Sequence, residues 1–176
     1  MKKILLAAAC TIGLNGCGNL NPQTGAELRA LAQTSVFLKE STYEVGRTAS
    51  TVTQSWRTGA AKCLNRRTHT TTGGGNIGGV PMMAGALTIY SSQIQSTGSG
   101  GVELTVRMKT LGIDMTGATR ENPTVIFAAT VTPVAGGSRI TDVMVTGAPF
   151  PVSNPINEGV RAWAEGTSSA CPTMPR

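Results

Sequence analysis

Four segments in the second half of the chain combine β-favouring residues with glycine-containing turns, and this pattern limits the folds available. VELTVRMK (102–109) alternates most regularly, with apolar side chains on one face and polar side chains on the other. TVIFAATVT (124–132) is apolar enough for a central strand, and ALTIYSSQI (86–94) and RITDVMVTG (139–147) complete the run. An antiparallel sheet with one polar face needs a second layer over its other face.

Two amphipathic helices supply that layer. In residues 49–64 the apolar positions recur at three- and four-residue steps: Ala49, Val52, Trp56, Ala60 and Cys63. Thr48 is a good N-cap, although a start at Ser41 would lengthen the helix. The second helix starts with Asn154 as N-cap and Pro155 at the first position, and it carries Ile156, Val160, Trp163 and Thr167 on one face.

With a further strand predicted over residues 35–45, the order is strand, helix, four strands, helix. We therefore predict an α+β domain over residues 35–176. It is a two-layer sandwich, in which two helices cover one face of an antiparallel sheet of about five strands. This order of elements resembles the helix-grip arrangement. Residues 66–85, rich in glycine, are predicted to form a connection without regular structure.

Catalytic, metal and cofactor motifs do not emerge from the residue spacing. GGGNIG (73–78) matches the dinucleotide pattern G-x-G-x-x-G, but no strand-to-helix context surrounds it, so a flexible loop is expected. His69, the only histidine, is predicted to lie on the surface, and Asp142 is predicted to face outward from its strand. We expect no catalytic residues, no metal and no cofactor. Because the basic residues form no stripe with interleaved aromatics, nucleic acid is not an expected partner.

The N-terminus has the layout of a secretory leader. Two lysines precede the apolar run ILLAAACTIGL (4–14), which is shorter than the roughly 20 residues of a membrane-spanning helix. Leu14-Asn15-Gly16-Cys17 then resembles the lipobox of bacterial lipoprotein precursors, although Asn15 departs from the small residue usual there. The resemblance covers residues 1–19. It implies a signal peptide over 1–16, a lipid on Cys17, and anchoring at the outer membrane facing the periplasm.

Cysteine counting supports this interpretation over an ordinary leader with an unmodified Cys17. Cys10 would leave with the leader, and a free Cys17 would leave three thiols in an oxidising compartment. A lipidated Cys17 leaves Cys63 and Cys171, which the predicted helix ends bring near one another. We predict a disulfide between them, with two buried thiols as the alternative.

Residues 17–34 are predicted to be a lipidated N-terminus and a flexible tether, with a marginal helix capped by Thr24 and Glu27. The densest basic patch is Lys62, Arg66 and Arg67. These cations either balance the negative end of a helix or contact an anionic surface such as lipid phosphate. Without Lys2 and Lys3 of the leader, the net charge falls from +6 to +4.

The leading functional hypothesis is a non-enzymatic envelope lipoprotein, whose periplasmic domain binds a protein and serves an envelope complex as an accessory or assembly factor. The alternative is binding of a hydrophobic, lipid-like ligand between sheet and helices. It is motivated by methionines at 82, 83, 108, 115 and 144. An enzyme acting on envelope polymers ranks third, because no side chains for such chemistry are visibly grouped.

Overall fold

The computed structural model describes residues 21–77, 80–98, 100–113, 119–146 and 153–173. Within them the chain has the predicted α+β class, with a single antiparallel sheet and helices packed on it. The leader, Cys17 and the lipobox lie outside the described residues. The elements, in chain order, are α1 (Gly25–Ala32), β1 (Leu38–Val45), α2 (Ala49–Cys63), β2 (Arg66–Ile77), β3 (Val80–Ser96), β4 (Val102–Ile113), β5 (Thr119–Val134), β6 (Gly137–Val145) and α3 (Ser153–Glu165).

The sheet has six strands in the order β1-β6-β5-β4-β3-β2, and every neighbouring pair is antiparallel. The expected count of about five is one too low because residues 66–77, predicted to be a connection, form β2. This strand pairs with β3 from Arg66 opposite Tyr90 to Ile77 opposite Val80, with a register irregularity between Gly73 and Asn76. The residues of the G-x-G-x-x-G match up to Ile77 are therefore strand, and the flexible-loop prediction is wrong for them.

Strands β3, β4 and β5 are longer than the alternation in the sequence predicts. β3 starts at Val80 instead of residue 86, β4 continues to Ile113, and β5 already begins at Thr119. Pairing with the neighbouring strand forms the added part of β3, residues 80–85, because its sequence contains Gly and Pro and does not favour a strand by itself.

Helices α2 and α3 occupy the predicted positions. The Thr48 hydroxyl accepts a hydrogen bond from the Thr51 N–H and caps α2, which runs to Cys63. Helix α3 begins at Ser153, so Asn154, expected as the N-cap, is already helical. Each tryptophan indole donates one hydrogen bond to a carbonyl. Trp56 joins α2 to α3 through the Val160 carbonyl at 3.2 Å, and Trp163 holds the residues after α3 through the Ala170 carbonyl at 3.0 Å.

The predicted core between the sheet and α2/α3 is present. Core members that are at most 1% exposed include Trp56, Leu104, Val106, Phe127, Ile140, Ile156 and Val160. These side chains lie between the sheet and the helices, the region predicted for a hydrophobic ligand. Of the methionines behind that hypothesis, Met144 is 8% exposed and Met108 packs against the same core.

Helix α1, Gly25–Ala32, differs from the flexible tether predicted for residues 17–34, of which the structure describes residues 21–34. The capping contact is as expected, since the Thr24 hydroxyl accepts from the Glu27 N–H. However, Leu28 is fully buried, and α1 packs on β5, β1 and β6. Its Arg29 reaches Glu103 of β4, which alternates with the core residue Leu104 and so points to the opposite face of the sheet. Central strand β5 is thus covered on both faces.

Candidate functional site

A disulfide fastens the segment that follows α3 to the end of α2. The sulfurs of Cys63 and Cys171 are 2.05 Å apart and the Cα atoms 5.2 Å apart, which confirms the predicted pair. The hydrogen bond from Trp163 to Ala170 holds the same segment one residue before the bridge. Residues 166–171, which we call the C-terminal segment, are therefore held beside α2.

A cleft of about 820 Å³ opens between α2, the end of α3 and the C-terminal segment. That volume lies in the range of small-molecule sites. We call it the α2 cleft. Its lining is rich in hydroxyl groups and includes two cations, Arg47 and Lys62. The lining residues are Arg47, Gln54, Ser55, Thr58, Gly59, Lys62, Trp163, Gly166, Thr167, Ser168 and Ser169.

Arg47 is held rigidly at one wall of the α2 cleft. One terminal nitrogen, Nη1, donates to the carbonyls of Trp163 at 2.7 Å and Ala164 at 2.9 Å, and Nη2 donates to Ser55 Oγ at 3.1 Å. The guanidinium thereby satisfies the last carbonyls of α3, where a cation is favoured by the helix dipole. Gly166 turns the chain with a φ of +75°, and a Cβ there would lie 3.0 Å from Arg47 Nη1. Glycine thus leaves room for the guanidinium.

Two serine hydroxyls of the cleft are oriented by the hydrogen bonds that they accept. Ser55 Oγ accepts from Arg47, and Ser168 Oγ accepts from the Ala170 N–H at 3.0 Å. A serine hydroxyl that accepts still has its own proton to donate. Lys62 is exposed in the last turn of α2, and the side chains lining the cleft include no carboxylate. The α2 cleft therefore presents donors and positive charge.

The structure divides the predicted basic patch. Lys62 lines the α2 cleft, whereas Arg66 and Arg67 are the first two residues of β2 and are exposed. Consecutive strand residues point to opposite faces. Arg66 lies beside Tyr90, whose pKa is raised by burial and moved in the opposite direction by that arginine. Arg67 belongs to the other face, so the three cations do not form one continuous surface.

Asp142 was expected to face outward, and this prediction is wrong. The residue is 2% exposed and accepts a hydrogen bond from Ser41 Oγ at 2.6 Å. Burial raises the pKa of its carboxyl group above the ordinary value. The Ser41 hydroxyl and Asn157 of α3 partly oppose this shift, although Asn157 Nδ2 completes no hydrogen bond within the described residues. The two-residue period of the strand could have predicted this burial, because Asp142 shares a face with Ile140 and Met144.

Tyr43 borders this carboxylate. Burial first, and the charge of Asp142 second, raise the pKa of the Tyr43 hydroxyl, which has no hydrogen-bond partner within the described chain. The guanidinium of Arg161 lies over the Tyr43 ring, 4.5 Å from its centroid, and Nε of this arginine is 2.9 Å from Glu165 Oε1. We interpret this group as the polar part of the α3–sheet interface, because Asp142, Tyr43 and Arg161 all contact neighbouring elements.

The remaining candidate of the sequence, His69, lies outside the α2 cleft. His69 is exposed on β2, as predicted. In the ranges given above, no group of three or more His, Cys, Asp or Glu residues is placed to hold a metal ion, and no helix has the length and apolarity to cross a membrane. No protein-family description matches the chain, and a search of curated proteins found no match.

Proposed function

We propose that the protein is an envelope lipoprotein, anchored at the outer membrane through Cys17, whose periplasmic domain binds an envelope protein and supports assembly of its complex. The leader and the lipobox resemblance support the anchor. The disulfide adds to this support, because it accounts for Cys63 and Cys171 and leaves Cys17 as the cysteine available for lipid. Several acyl chains, at about 0.8 kcal/mol per buried CH₂, hold a domain on a membrane durably.

The position of β2 is the observation that supports the proposal of protein binding. It is an edge strand of 12 residues, and within the described part of the chain only β3 pairs with it. The outer backbone groups of such a strand are a template for another extended segment. Residues 68–77 contain no Lys, Arg, Asp, Glu or Pro, the residues that usually discourage edge pairing. β1, at the opposite edge, carries Lys39, Glu40 and Glu44.

The charge beside β2 favours an acidic partner segment. Arg66 and Arg67 begin the strand, and both side chains are exposed. Arg107 of β4 is also exposed and shares the face of Arg67 two strands away. Complementary charge increases the association rate and selects the partner. We therefore propose an extended, acidic segment of an envelope protein, paired with β2 upstream of the irregularity at Gly73.

A site-specific photo-cross-linker tests the edge. Placed at His69 on β2, it should join the protein to one envelope protein in living cells. Placed at Glu44, exposed on β1, it should not. Arg67→Glu should reduce the His69 product strongly, while Arg57→Glu, an equal charge change on an exposed residue of α2, should not. No adduct at His69, or equal adducts at both edges, would reject the proposed surface.

The anchor has a separate test. Metabolic labelling with a fatty-acid analogue should mark the wild-type protein and leave Cys17→Ser unlabelled. Cell fractionation should find the wild type in the outer membrane. A wild-type protein that remains unlabelled, with its leader intact in the cytosol, would refute the anchoring proposal and leave the β2 surface untouched.

A further inference from the structure

We propose that the α2 cleft binds a small polar ligand through a phosphate ester group. The inference does not depend on lipid anchoring or on the β2 surface. It stands on three features of the described residues: two cations without a lining carboxylate, hydroxyls oriented to donate, and a volume larger than one phosphate ion requires. The fold brings these features together from Arg47, helix α2 and the C-terminal segment.

Arg47 supplies a fixed guanidinium. Among the described residues, three of its five N–H groups donate to Trp163, Ala164 and Ser55, which leaves two donors for another oxygen. A guanidinium already held by carbonyls loses little side-chain entropy when it binds an anion. Charge-assisted bonds of this kind are about twice as strong as those between neutral groups.

The charge balance of the cleft favours an anion. The C-terminal ends of α2 and α3 each contribute roughly −0.5 of a charge, about −1 together. Arg47 and Lys62 contribute two positive charges, and no lining side chain is acidic. The remaining charge is about +1, so the site attracts an anion.

The hydroxyls define the rest of the ligand. Ser55 and Ser168 each accept an N–H bond and keep a proton to donate. Thr58, Thr167 and Ser169 line the same space, and the Thr58 and Thr167 hydroxyls, which already donate to backbone carbonyls, can accept hydrogen bonds there. A volume of about 820 Å³ leaves room beyond a phosphate group for a hydroxyl-bearing carbon skeleton. A phosphate ester of a polyol has that chemistry, either as a free molecule or as the headgroup of a phospholipid.

Titration calorimetry on the full chain in mild detergent tests the proposal, with glycerol 3-phosphate and inorganic phosphate as soluble probes. We expect saturable binding of glycerol 3-phosphate, and about tenfold weaker binding for Lys62→Gln and for Ser168→Ala. Arg57→Gln is the matched control: it removes the same charge from an exposed residue of α2 outside the cleft, and it should bind as the wild type does.

Vesicles of phosphatidylglycerol in phosphatidylcholine distinguish the two sources of the phosphate. Stronger binding to these vesicles than to vesicles of phosphatidylcholine alone would identify a lipid headgroup as the ligand if glycerol 3-phosphate does not bind. This difference should again be reduced by Lys62→Gln and not by Arg57→Gln. Equal weakening by both substitutions would show general charge attraction and overturn the site. The absence of saturable binding to every probe would also overturn it.

Discussion

Gly59 of α2 lies against the indole of Trp163 on α3, so closely that a Cβ atom at Gly59 would be 2.5 Å from Trp163 Cδ2. The contact brings together the two helices that cover one face of the sheet. It also forms part of the α2 cleft, since both residues line it. A glycine in mid-helix is normally unfavourable, so its presence here is explained by the space that the indole ring takes.

Gly59→Ala should therefore destabilise the protein. Higher helix propensity would contribute up to about 1 kcal/mol in favour of alanine. Overpacking against a rigid ring costs about 1–3 kcal/mol, so we expect the free energy of unfolding to fall, as measured by urea denaturation. Gly46→Ala is the control, because a Cβ there would meet nothing within 4 Å. A stabilised Gly59→Ala variant would contradict the packing described.

Asp142→Asn should change how stability depends on pH. Burial raises the pKa of Asp142 in the folded protein, so the folded state keeps its proton at pH values where the unfolded chain has lost it. The wild type therefore loses stability as pH rises from the ordinary value of 3.8 through the raised pKa. The amide of the variant does not ionise and can still accept the bond from Ser41.

The measurement is urea unfolding of both proteins between pH 3 and pH 8, in steps of about one pH unit. The free-energy difference, Asp142→Asn minus wild type, should increase with pH and then level off above the raised pKa. Charged neighbours such as Lys39 and Arg161 are common to both proteins, so the difference isolates residue 142. Parallel pH profiles would show that this carboxyl group has no raised pKa.

Removal of the disulfide should lower stability substantially. Cys63 and Cys171 are 108 positions apart, and closing a loop of that length stabilises by up to about 4.7 kcal/mol in the chain-entropy model. The double variant Cys63→Ala/Cys171→Ala should unfold at lower urea concentration and respond to no reductant. The wild type should approach the same midpoint once it is reduced. Identical midpoints before and after reduction would indicate that the bridge does not constrain the unfolded chain.

Arg29→Ala should release α1 from the sheet. Arg29 Nη1 lies 2.5 Å from Glu103 Oε1, a second nitrogen bonds Thr130, and the Glu103 side chain is only 7% exposed. A buried carboxylate left without its cation costs about 3–5 kcal/mol, so a large fall in the free energy of unfolding is expected at pH 7.

The double variant Arg29→Ala/Glu103→Gln is the control for this effect. A neutral amide requires no counter-charge, so the double variant should be more stable than Arg29→Ala alone. Hydrogen exchange should show the α1 amides losing protection in the single variant. If the single variant matched the wild type within about 0.5 kcal/mol, the ion pair would not hold α1.

Elements with a regular local period were predictable. The three- and four-residue spacing around Trp56 and the cap at Thr48 located α2, and the alternation around Leu104 located β4. The Cys63–Cys171 pair followed from counting cysteines. For α1, the cap was predicted but the docking was not. Leu28 and Leu31 are too few for a stable isolated helix, and Leu28 is buried only because the sheet is there.

By itself, the sequence determined the fold class and the two helices that cover the sheet, because periodicity acts locally. It also determined the disulfide, because the predicted domain over residues 35–176 contains only two cysteines. Only the tertiary structure decided that residues 66–77 are a strand, that Asp142 is buried, and that Arg47, Ser55 and Ser168 share one cleft. The physical reason is the same in each case. Strand pairing, burial and clefts depend on contacts between residues far apart in the chain, which become favourable once their partners are in place.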